Sequence, residues 1–249
     1  MKTENHRRLT ALACGLVGIE PEYSKLMAVE SMKPDVFDDY YIALGGTELD
    51  YFSSRTYLHL YDPVHDYGGA PLECLRYTIL AKDAFNDENI YDGYSLLGYA
   101  SHYLQDPATP VHTDMDIIDQ IQFHLAYEDW INLHWIVIEK GLSLNPENII
   151  NCEYIQKHIR TLAYASNEYI TRVWDAMRDN NQEELYNITV TCVRDAIYYT
   201  AGFYKYFFAT PEIIEEYKAP VSWLSLIGSS VLIGLACYGG YKLITRRKK

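Results

Sequence analysis

The chain has 249 residues, of which 49% are hydrophobic and 22% are charged. This composition is typical of a globular protein with a substantial buried core, and it excludes a disordered or collagen-like chain. The formal net charge is −13, and because an acidic surface repels polyphosphates, general nucleic-acid binding is not expected. The five cysteines include no close pair, so neither a disulfide scaffold nor a thiolate zinc site is indicated.

Helical periodicity extends through most of the chain up to residue 218. Residues 1–19 combine a basic start with a short apolar run, a pattern shared by secretion signals and by the first helix of a domain. Residues 30–69 are rich in Asp, Gly, Pro and Tyr, and we expect long loops there. Apolar residues at three- and four-residue spacing then predict helices over 71–85, 91–105, 118–140, 155–177 and 183–208. The sequence therefore predicts an all-α fold, with a single helical-bundle domain over residues 1–218.

The C-terminal segment predicts a membrane anchor. Residues 219–241 contain no charged residue, and this uncharged run is long enough for a helix that spans a bilayer. Trp223 and Tyr241 stand near the two ends of this run, where interfacial aromatic residues are typical. We expect a transmembrane helix over 219–245 and a basic cytoplasmic tail at 246–249, which makes the main domain extracytoplasmic. The alternative is a buried helix or hairpin of the core.

Two histidine–carboxylate pairs stand four residues apart within predicted helices, His102 with Asp106 and His124 with Glu128. Side chains at that spacing share one face of a helix. Between the pairs, His112 follows a proline-containing turn. Imidazole and carboxylate groups are ligands of zinc and similar metals. Two pairs around a third histidine within 27 residues therefore indicate a metal site rather than capped helices with surface ion pairs.

These residues resemble the signature of the zinc-dependent phospholipase C family. That signature is His-Tyr-Leu-x-Asp, a short turn with proline, a histidine and a later His-xxx-Glu, all present in 102–128. The family also has an upstream His-x-Tyr-Asp-Pro, which is similar to residues 59–63. Two less specific elements, an aspartate in a tyrosine-rich loop and a histidine in the first helix, are matched by Asp35 (with Asp38 and Asp39 as alternatives) and His6.

The resemblance implies two or three zinc ions and a set of ligands for each. The first ion would be held by Asp35, His59, His102 and Asp106, the second by His112, His124 and Glu128, and the third by His6, Asp106 and the N-terminus of the chain. Asp106 would thus bridge two ions. Asp35 would also be catalytic, because a carboxylate beside the metal can orient or deprotonate a bound water.

The N-terminus departs from the family. Its members usually begin with a tryptophan whose amine and carbonyl bind the third zinc, whereas this chain begins with Met1, five residues before His6. Cleavage of a secretion signal after Ile19 would remove His6. We therefore interpret residues 1–19 as the first helix of the domain.

The activity that the resemblance implies is hydrolysis of a phosphodiester, with a phospholipid as substrate, by water that zinc activates. Bound zinc lowers the pKa of water from about 15.7 to about 7. One alternative is a single-strand nuclease or nucleotidase of the related S1/P1 type, which usually carries Asp where Glu128 stands. Another alternative is a membrane-tethered, non-catalytic module that binds zinc.

Three further histidines are not assigned to the metal site. We expect His134 to pack within the fold and His158 to lie at the surface. His65 stands near His59 in the sequence, and a position lining the cleft of the metal site is a less favoured alternative for it.

Overall fold

The computed structural model of the protein describes residues 3–36, 57–114 and 117–213, apart from the side chains at 117–119 and 121. These residues form nine α-helices and three short 3-10 helices. Within them there is no β-strand, only an isolated bridge between Asp62 and Tyr67. The predicted all-α fold is confirmed for this part of the chain.

The helix boundaries mostly follow the periodicity of the sequence. The α-helices are α1 (Thr3–Val17), α2 (Pro21–Glu30), α3 (Lys33–Val36), α4 (Ala70–Asn86), α5 (Ile90–Gln105), α6 (Ile117–Gly141), α7 (Ile155–Asn167), α8 (Ile170–Arg178) and α9 (Gln182–Ala209). The 3-10 helices are Asp106–Ala108, Pro110–His112 and Pro146–Asn148. The single helix predicted over 155–177 is wrong, because a two-residue turn at 168–169 divides it into α7 and α8. That turn contains no glycine or proline, so the sequence carried no local signal for it.

The N-terminal segment is the first helix of the fold, as its interpretation required. Gly18, with φ of 73°, follows α1 in the left-handed conformation that glycine adopts easily. The backbone N–H of Ile19 donates to the carbonyl of Cys14 at 3.1 Å, which is the hydrogen bond of a Schellman motif. The apolar run that imitated a secretion signal is therefore a capped helix, and it places His6 inside the domain.

Helix α5 is the centre of the molecule, because α1, α2, α4 and α9 all pack against it. Every residue from Ser95 to Gln105 is buried. A helix that is buried on all sides is held in one position by its neighbours. The residues at its C-terminal end, which include His102, are consequently fixed by the core itself.

Gly98 allows α2 to approach α5 closely. A Cβ atom at this position would lie 2.7 Å from the carbonyl oxygen of Met27 and 2.7 Å from the Cβ of Glu30. The close approach brings the end of α2 over the last turns of α5. As a result, the carbonyl of Ser31 accepts a hydrogen bond from His102 Nδ1 at 2.8 Å.

The predicted surface position of His158 is wrong, because only 5% of this residue is exposed. Its Nε2 donates to the backbone carbonyl of Tyr199 at 2.8 Å, and burial lowers the pKa of the imidazole to about 4. His158 lies three residues after Ile155 and one before Ile159, both of which are fully buried. The helical periodicity of α7 thus placed it on the apolar face.

No helix in the described ranges is long and apolar enough to cross a membrane. The transmembrane helix predicted over 219–245, the basic tail at 246–249, and the alternative aspartates Asp38 and Asp39 lie outside the described residues.

Candidate metal centre

The eight predicted ligands converge from separate parts of the chain. His6 comes from α1, Asp35 from α3, His59 from the segment before α4, His102 from α5, Asp106 and His112 from the two 3-10 helices that follow α5, and His124 and Glu128 from α6. They form three groups, and within each group the potential ligand atoms lie within 4.8 Å of one another. The groups are His6 with Asp35 and His102, His59 with His102 and Asp106, and His112 with His124 and Glu128. The structure brings all eight side chains together, and their role in binding metal stays a prediction.

Asp106 lies at the centre of the larger part of this cluster and is completely buried. One carboxylate oxygen, Oδ2, lies 2.7 Å from His59 Nδ1 and 3.1 Å from His102 Nε2. The other, Oδ1, lies 3.2 Å from His6 Nε2 and 3.8 Å from His112 Nε2. Its two oxygens thus face different imidazoles, and the bridging of two cations by this carboxylate stays a prediction.

Asp35 lies between His6 and His102 at slightly longer distances. Its Oδ1 is 3.8 Å from His102 Nε2, and its Oδ2 is 4.0 Å from His6 Nε2. The side chain is 15% exposed, whereas those of His6, His102 and Asp106 are fully buried. We call His6, Asp35, His59, His102 and Asp106 the Asp106 group.

The remaining three residues form the Glu128 group, which consists of His112, His124 and Glu128. Glu128 Oε1 lies 3.0 Å from His112 Nε2 and 3.2 Å from His124 Nε2. The spacing of four residues therefore places His124 and Glu128 side by side on α6, as the sequence predicted. The side chain of His124 is 25% exposed, so this group lies nearer to solvent than the Asp106 group.

The protonation of four imidazoles is fixed by their outer partners. Each Nδ1 faces an oxygen acceptor: Ser31 carbonyl for His102, His59 carbonyl for His112, Gln105 Oε1 for His6 and Gln120 Oε1 for His124. A carbonyl or amide oxygen only accepts, so Nδ1 must carry the proton. In a neutral imidazole the lone pair is then on Nε2. All four lone pairs consequently point toward the carboxylates at the centre.

Acceptor atoms therefore face acceptor atoms inside the cluster. At the Glu128 group, two imidazole nitrogens face the same carboxylate oxygen at 3.0 and 3.2 Å. His6 Nε2 is buried and makes no hydrogen bond to the described residues, although Asp106 Oδ1 lies 3.2 Å away. Such contacts are unfavourable in a buried site unless a cation lies between the atoms. Four ligands bound tetrahedrally to zinc at about 2.0–2.1 Å are about 3.3 Å apart, so the donor set and its spacing fit this ion.

Protonating the histidines would be the other way to relieve these contacts, and burial opposes it. Burial lowers the pKa of His6 and of His59 below the ordinary value, and it lowers that of His112 to about 4. His102 differs, because the nearby charges of Asp106 and Asp35 outweigh burial and raise its pKa. Most of the cluster thus holds neutral imidazoles near pH 7, which is the form that binds metal.

The carboxylates are held in their ionised form. Burial alone would raise the pKa of Asp106, but His102 and His112 hold it well below the usual range. The pKa of Glu128 is likewise lowered despite its burial, and the neighbouring His112 and His124 are among the groups that outweigh the burial. A buried cluster that keeps both carboxylates charged is electrostatically suited to a divalent cation.

The residues that orient the ligands were missed by the sequence analysis. Gln120 precedes His124 by four residues, so helical spacing could have identified it. Gln105 stands at the variable position of the His-Tyr-Leu-x-Asp motif, where no particular residue is expected. The Ser31 carbonyl belongs to the backbone and leaves no trace in the sequence. His65 and His134 lie outside the three groups, and their Nδ1 atoms face Asp62 Oδ2 and the Trp130 carbonyl.

Comparison with known proteins gives structural matches only. No protein-family model and no curated protein matches the chain. The alpha-toxin of Clostridium absonum is 15% identical with a TM-score of 0.58, and the alignment covers 85% of this chain and 66% of the toxin. The alpha-toxin of an avian strain of Clostridium perfringens, SWCP, is 14% identical with a TM-score of 0.58, covering 86% of this chain and 64% of the toxin. The chain therefore shares its fold with these toxins and spans about two thirds of their length.

Proposed function

We propose that the protein is a zinc-dependent phosphodiesterase of the phospholipase C type, which hydrolyses the headgroup ester of a phospholipid. The observation that carries the proposal is the convergence of five imidazoles on Asp106 and Glu128, with acceptor atoms facing one another across the gaps. Two further observations support it. The motif over 102–128 resembles that of the zinc-dependent phospholipase C family, and the fold is shared with two clostridial alpha-toxins.

The proposed chemistry divides between the metal and the protein. Bound zinc ions would screen the phosphodiester charge and supply hydroxide near neutral pH. Asp106 would hold the positions of two ions through its two oxygens. His102 is kept in one orientation by the Ser31 carbonyl, so its ligand nitrogen stays directed at Asp106.

Asp35 is the proposed proton acceptor. Although burial would raise its pKa, the neighbouring His102 and His6 lower it, so the carboxylate is ionised near neutral pH. It is also partly exposed, at 15%, and can therefore reach a water molecule. The oxygen of that water would attack phosphorus, the bond from phosphorus to the alcohol oxygen would break, and the alcohol would leave with a proton. From a phospholipid the released alcohol is diacylglycerol.

The test combines metal analysis with two substrates. We expect purified protein to contain zinc and to hydrolyse a phosphocholine ester, with activity lost on chelation and restored by zinc. His102→Ala should lose metal and activity together. His134→Ala changes a histidine outside the three groups and should retain both.

Two outcomes would contradict the proposal. Turnover of single-stranded DNA without turnover of the ester would favour the nuclease alternative. Stoichiometric zinc with no turnover of either substrate would favour a non-catalytic, zinc-binding module.

We also propose that residues 219–245 anchor the protein in a bilayer, with the main domain outside the cytoplasm. The absence of charge over 219–241 and the closing basic cluster support this arrangement. Such a tether would keep the site beside its lipid substrate. Deleting 219–249 should move the protein from the membrane fraction to the soluble fraction, and protease added to intact cells should cleave the full-length domain. Unchanged fractionation after the deletion would contradict the anchor.

A further inference from the structure

Gln105 lies directly behind the Asp106 group and is completely buried. Its amide oxygen Oε1 is 3.0 Å from His6 Nδ1, and its amide nitrogen Nε2 donates to Thr10 Oγ1 at 2.9 Å. Both ends of the amide therefore have a defined partner. The contact joins the last residue of α5 to two residues of α1 that are one turn apart.

This contact decides which nitrogen of His6 faces the centre. In the structure Nε2 of Gln105 donates to Thr10 Oγ1, and the amide oxygen is the atom presented to His6. An amide oxygen only accepts, so His6 must carry its proton on Nδ1 and its lone pair on Nε2. That lone pair is directed at Asp106 Oδ1, 3.2 Å away. If the amide were reversed, its NH₂ would require the other tautomer, and the nitrogen facing Asp106 would carry a proton.

Gln120 makes the same arrangement in the Glu128 group. Its Nε2 donates to the carbonyls of Val111 and Asp114 at 2.6 and 2.8 Å, and its Oε1 faces His124 Nδ1. His102 and His112 are oriented by backbone carbonyls instead. Each group thus contains one histidine whose orientation depends on a glutamine side chain.

We propose that Gln105, held by Thr10, is a positioning residue that sets the metal affinity of the site formed by His6, Asp35 and His102. Gln120 has the corresponding role in the Glu128 group, so the two sites can be weakened separately. The inference rests on the metal centre of the proposed function, but it does not depend on the reaction. An outer hydrogen-bond partner of this kind fixes the tautomer and the orientation of the ring, and its loss costs about 10–100-fold in metal affinity.

The first measurement is a titration of the metal-free, full-length protein with Co²⁺, followed by its visible absorption. Gln105→Leu keeps a similar volume and removes the amide. We expect it to weaken one metal equivalent by about 10–100-fold and leave the others unchanged. Gln120→Leu is the matched control and should weaken a different equivalent. Gln105→Glu retains an acceptor for His6 and should restore the affinity that Gln105→Leu loses.

The second measurement is the tautomer of His6 in the metal-free protein, from long-range ¹H–¹⁵N correlation spectra. We expect the Nδ1–H form in the natural protein and a mixture of tautomers in Gln105→Leu. Thr10→Val removes the hydroxyl that accepts from the Gln105 amide nitrogen, so it should shift the His6 tautomer in the same direction even if Gln105→Leu does not fold.

Several results would overturn the inference. These are unchanged affinity for every metal equivalent in Gln105→Leu, an equal loss from all equivalents, an unchanged His6 tautomer, or a Gln105→Glu variant as weak as Gln105→Leu. Hydrolysis of the phosphocholine ester is measured separately. The expected binding pattern without hydrolysis would leave this inference standing and contradict the proposed function.

Discussion

The Asp106 group and the Glu128 group use the same ligand chemistry in different surroundings. His102 lies in the buried last turns of α5 and Asp106 comes directly after them, and both side chains are completely inaccessible to solvent. His124 and Glu128 lie on α6, whose outer face exposes Leu133 and Ile136 by 80% and 68%. The first group is therefore positioned by the packing of the whole core, whereas two of the three ligands of the second lie on α6 and the third, His112, lies on a 3-10 helix.

Burial changes what each group can tolerate. In the Asp106 group the side chains of His6, His102 and Asp106 have lost all contact with water, so their geometry must be satisfied by protein or by metal. In the Glu128 group, the partial exposure of His124 allows water to replace a missing partner. The comparison predicts that loss of His102 affects folding and metal binding together, while loss of His124 affects metal binding alone.

The largest effect is expected from Asp106→Asn, because this residue joins the two groups. Its oxygens face imidazoles of both groups, namely His59, His102, His6 and His112. The change therefore removes the negative charge that both groups share. Removing a residue that only hydrogen-bonds to a metal ligand costs up to about 100-fold in metal affinity. We expect Asp106→Asn to lower metal affinity by more than this, and hydrolysis to fall with it. Metal content by mass spectrometry and isothermal titration provide the measurement.

Asp83→Asn is the matched control for that change. Asp83 is exposed on α4 and belongs to none of the three groups, so the variant should retain all its metal. If Asp106→Asn also kept full occupancy of both groups, the bridging position assigned to this carboxylate would be wrong.

His158 is a buried histidine that belongs to neither group and contacts a backbone carbonyl rather than a carboxylate. Its burial should make the free energy of unfolding depend on pH. The pKa of His158 is about 4 in the folded protein, against 6.5 for an ordinary histidine. Between these values the unfolded chain binds more protons, so stability is fully present above pH 6.5 and is lost as the pH falls toward 4. Over that window the loss from this residue is about 3 kcal/mol.

His158→Gln tests this expectation. The glutamine amide can still donate to the Tyr199 carbonyl but cannot titrate in this range. Chemical denaturation at pH 7 and at pH 5 should show a smaller loss of unfolding free energy in the variant than in the natural protein. An equal loss in both would mean that His158 does not contribute to the acid sensitivity.

The part of the site that could be predicted from sequence follows the local spacing of its residues. His102 with Asp106, and His124 with Glu128, are four residues apart on helices, so a repeat of 3.6 residues already places each pair on one face. His6, Asp35 and His59 were found only through the resemblance to a family. Their approach to His102 depends on how α1, α3 and the segment before α4 pack, which the spacing of residues along the sequence does not encode. The same reason explains why the Ser31 carbonyl was missed.

Gly98 tests the dependence of the Asp106 group on core packing. A methyl group there would lie 2.7 Å from the carbonyl oxygen of Met27, so Gly98→Ala must push α2 away from α5. We expect a loss of about 1–3 kcal/mol in the free energy of unfolding. The displaced Ser31 carbonyl would no longer hold His102, so the affinity of the Asp106 group for metal should fall while that of the Glu128 group is retained.

Gly15→Ala is the matched control, since a methyl group at this position of α1 meets no atom within 4 Å. Replacing a helical glycine by alanine should stabilise the protein by about 0.5–1 kcal/mol. Denaturant unfolding of the two variants compares them directly. If Gly98→Ala were also stabilising, the close contact between α2 and α5 would not constrain the site.

The smallest effect on folding is expected from His124→Ala, and it separates the two groups most clearly. His124 is 25% exposed, so water can solvate the groups that it leaves behind. The metal-free variant should change in stability by about 0.5 kcal/mol or less. His102→Ala leaves the buried Ser31 carbonyl without its donor and should cost about 1–3 kcal/mol in the same assay.

Both variants should lose metal, whereas Leu125→Ala, at the exposed neighbouring position on α6, should lose none. If His124→Ala and His102→Ala lowered the free energy of unfolding equally, exposure would not distinguish the groups. The packing of α6 would then constrain its ligands as strongly as the packing of α5 constrains His102.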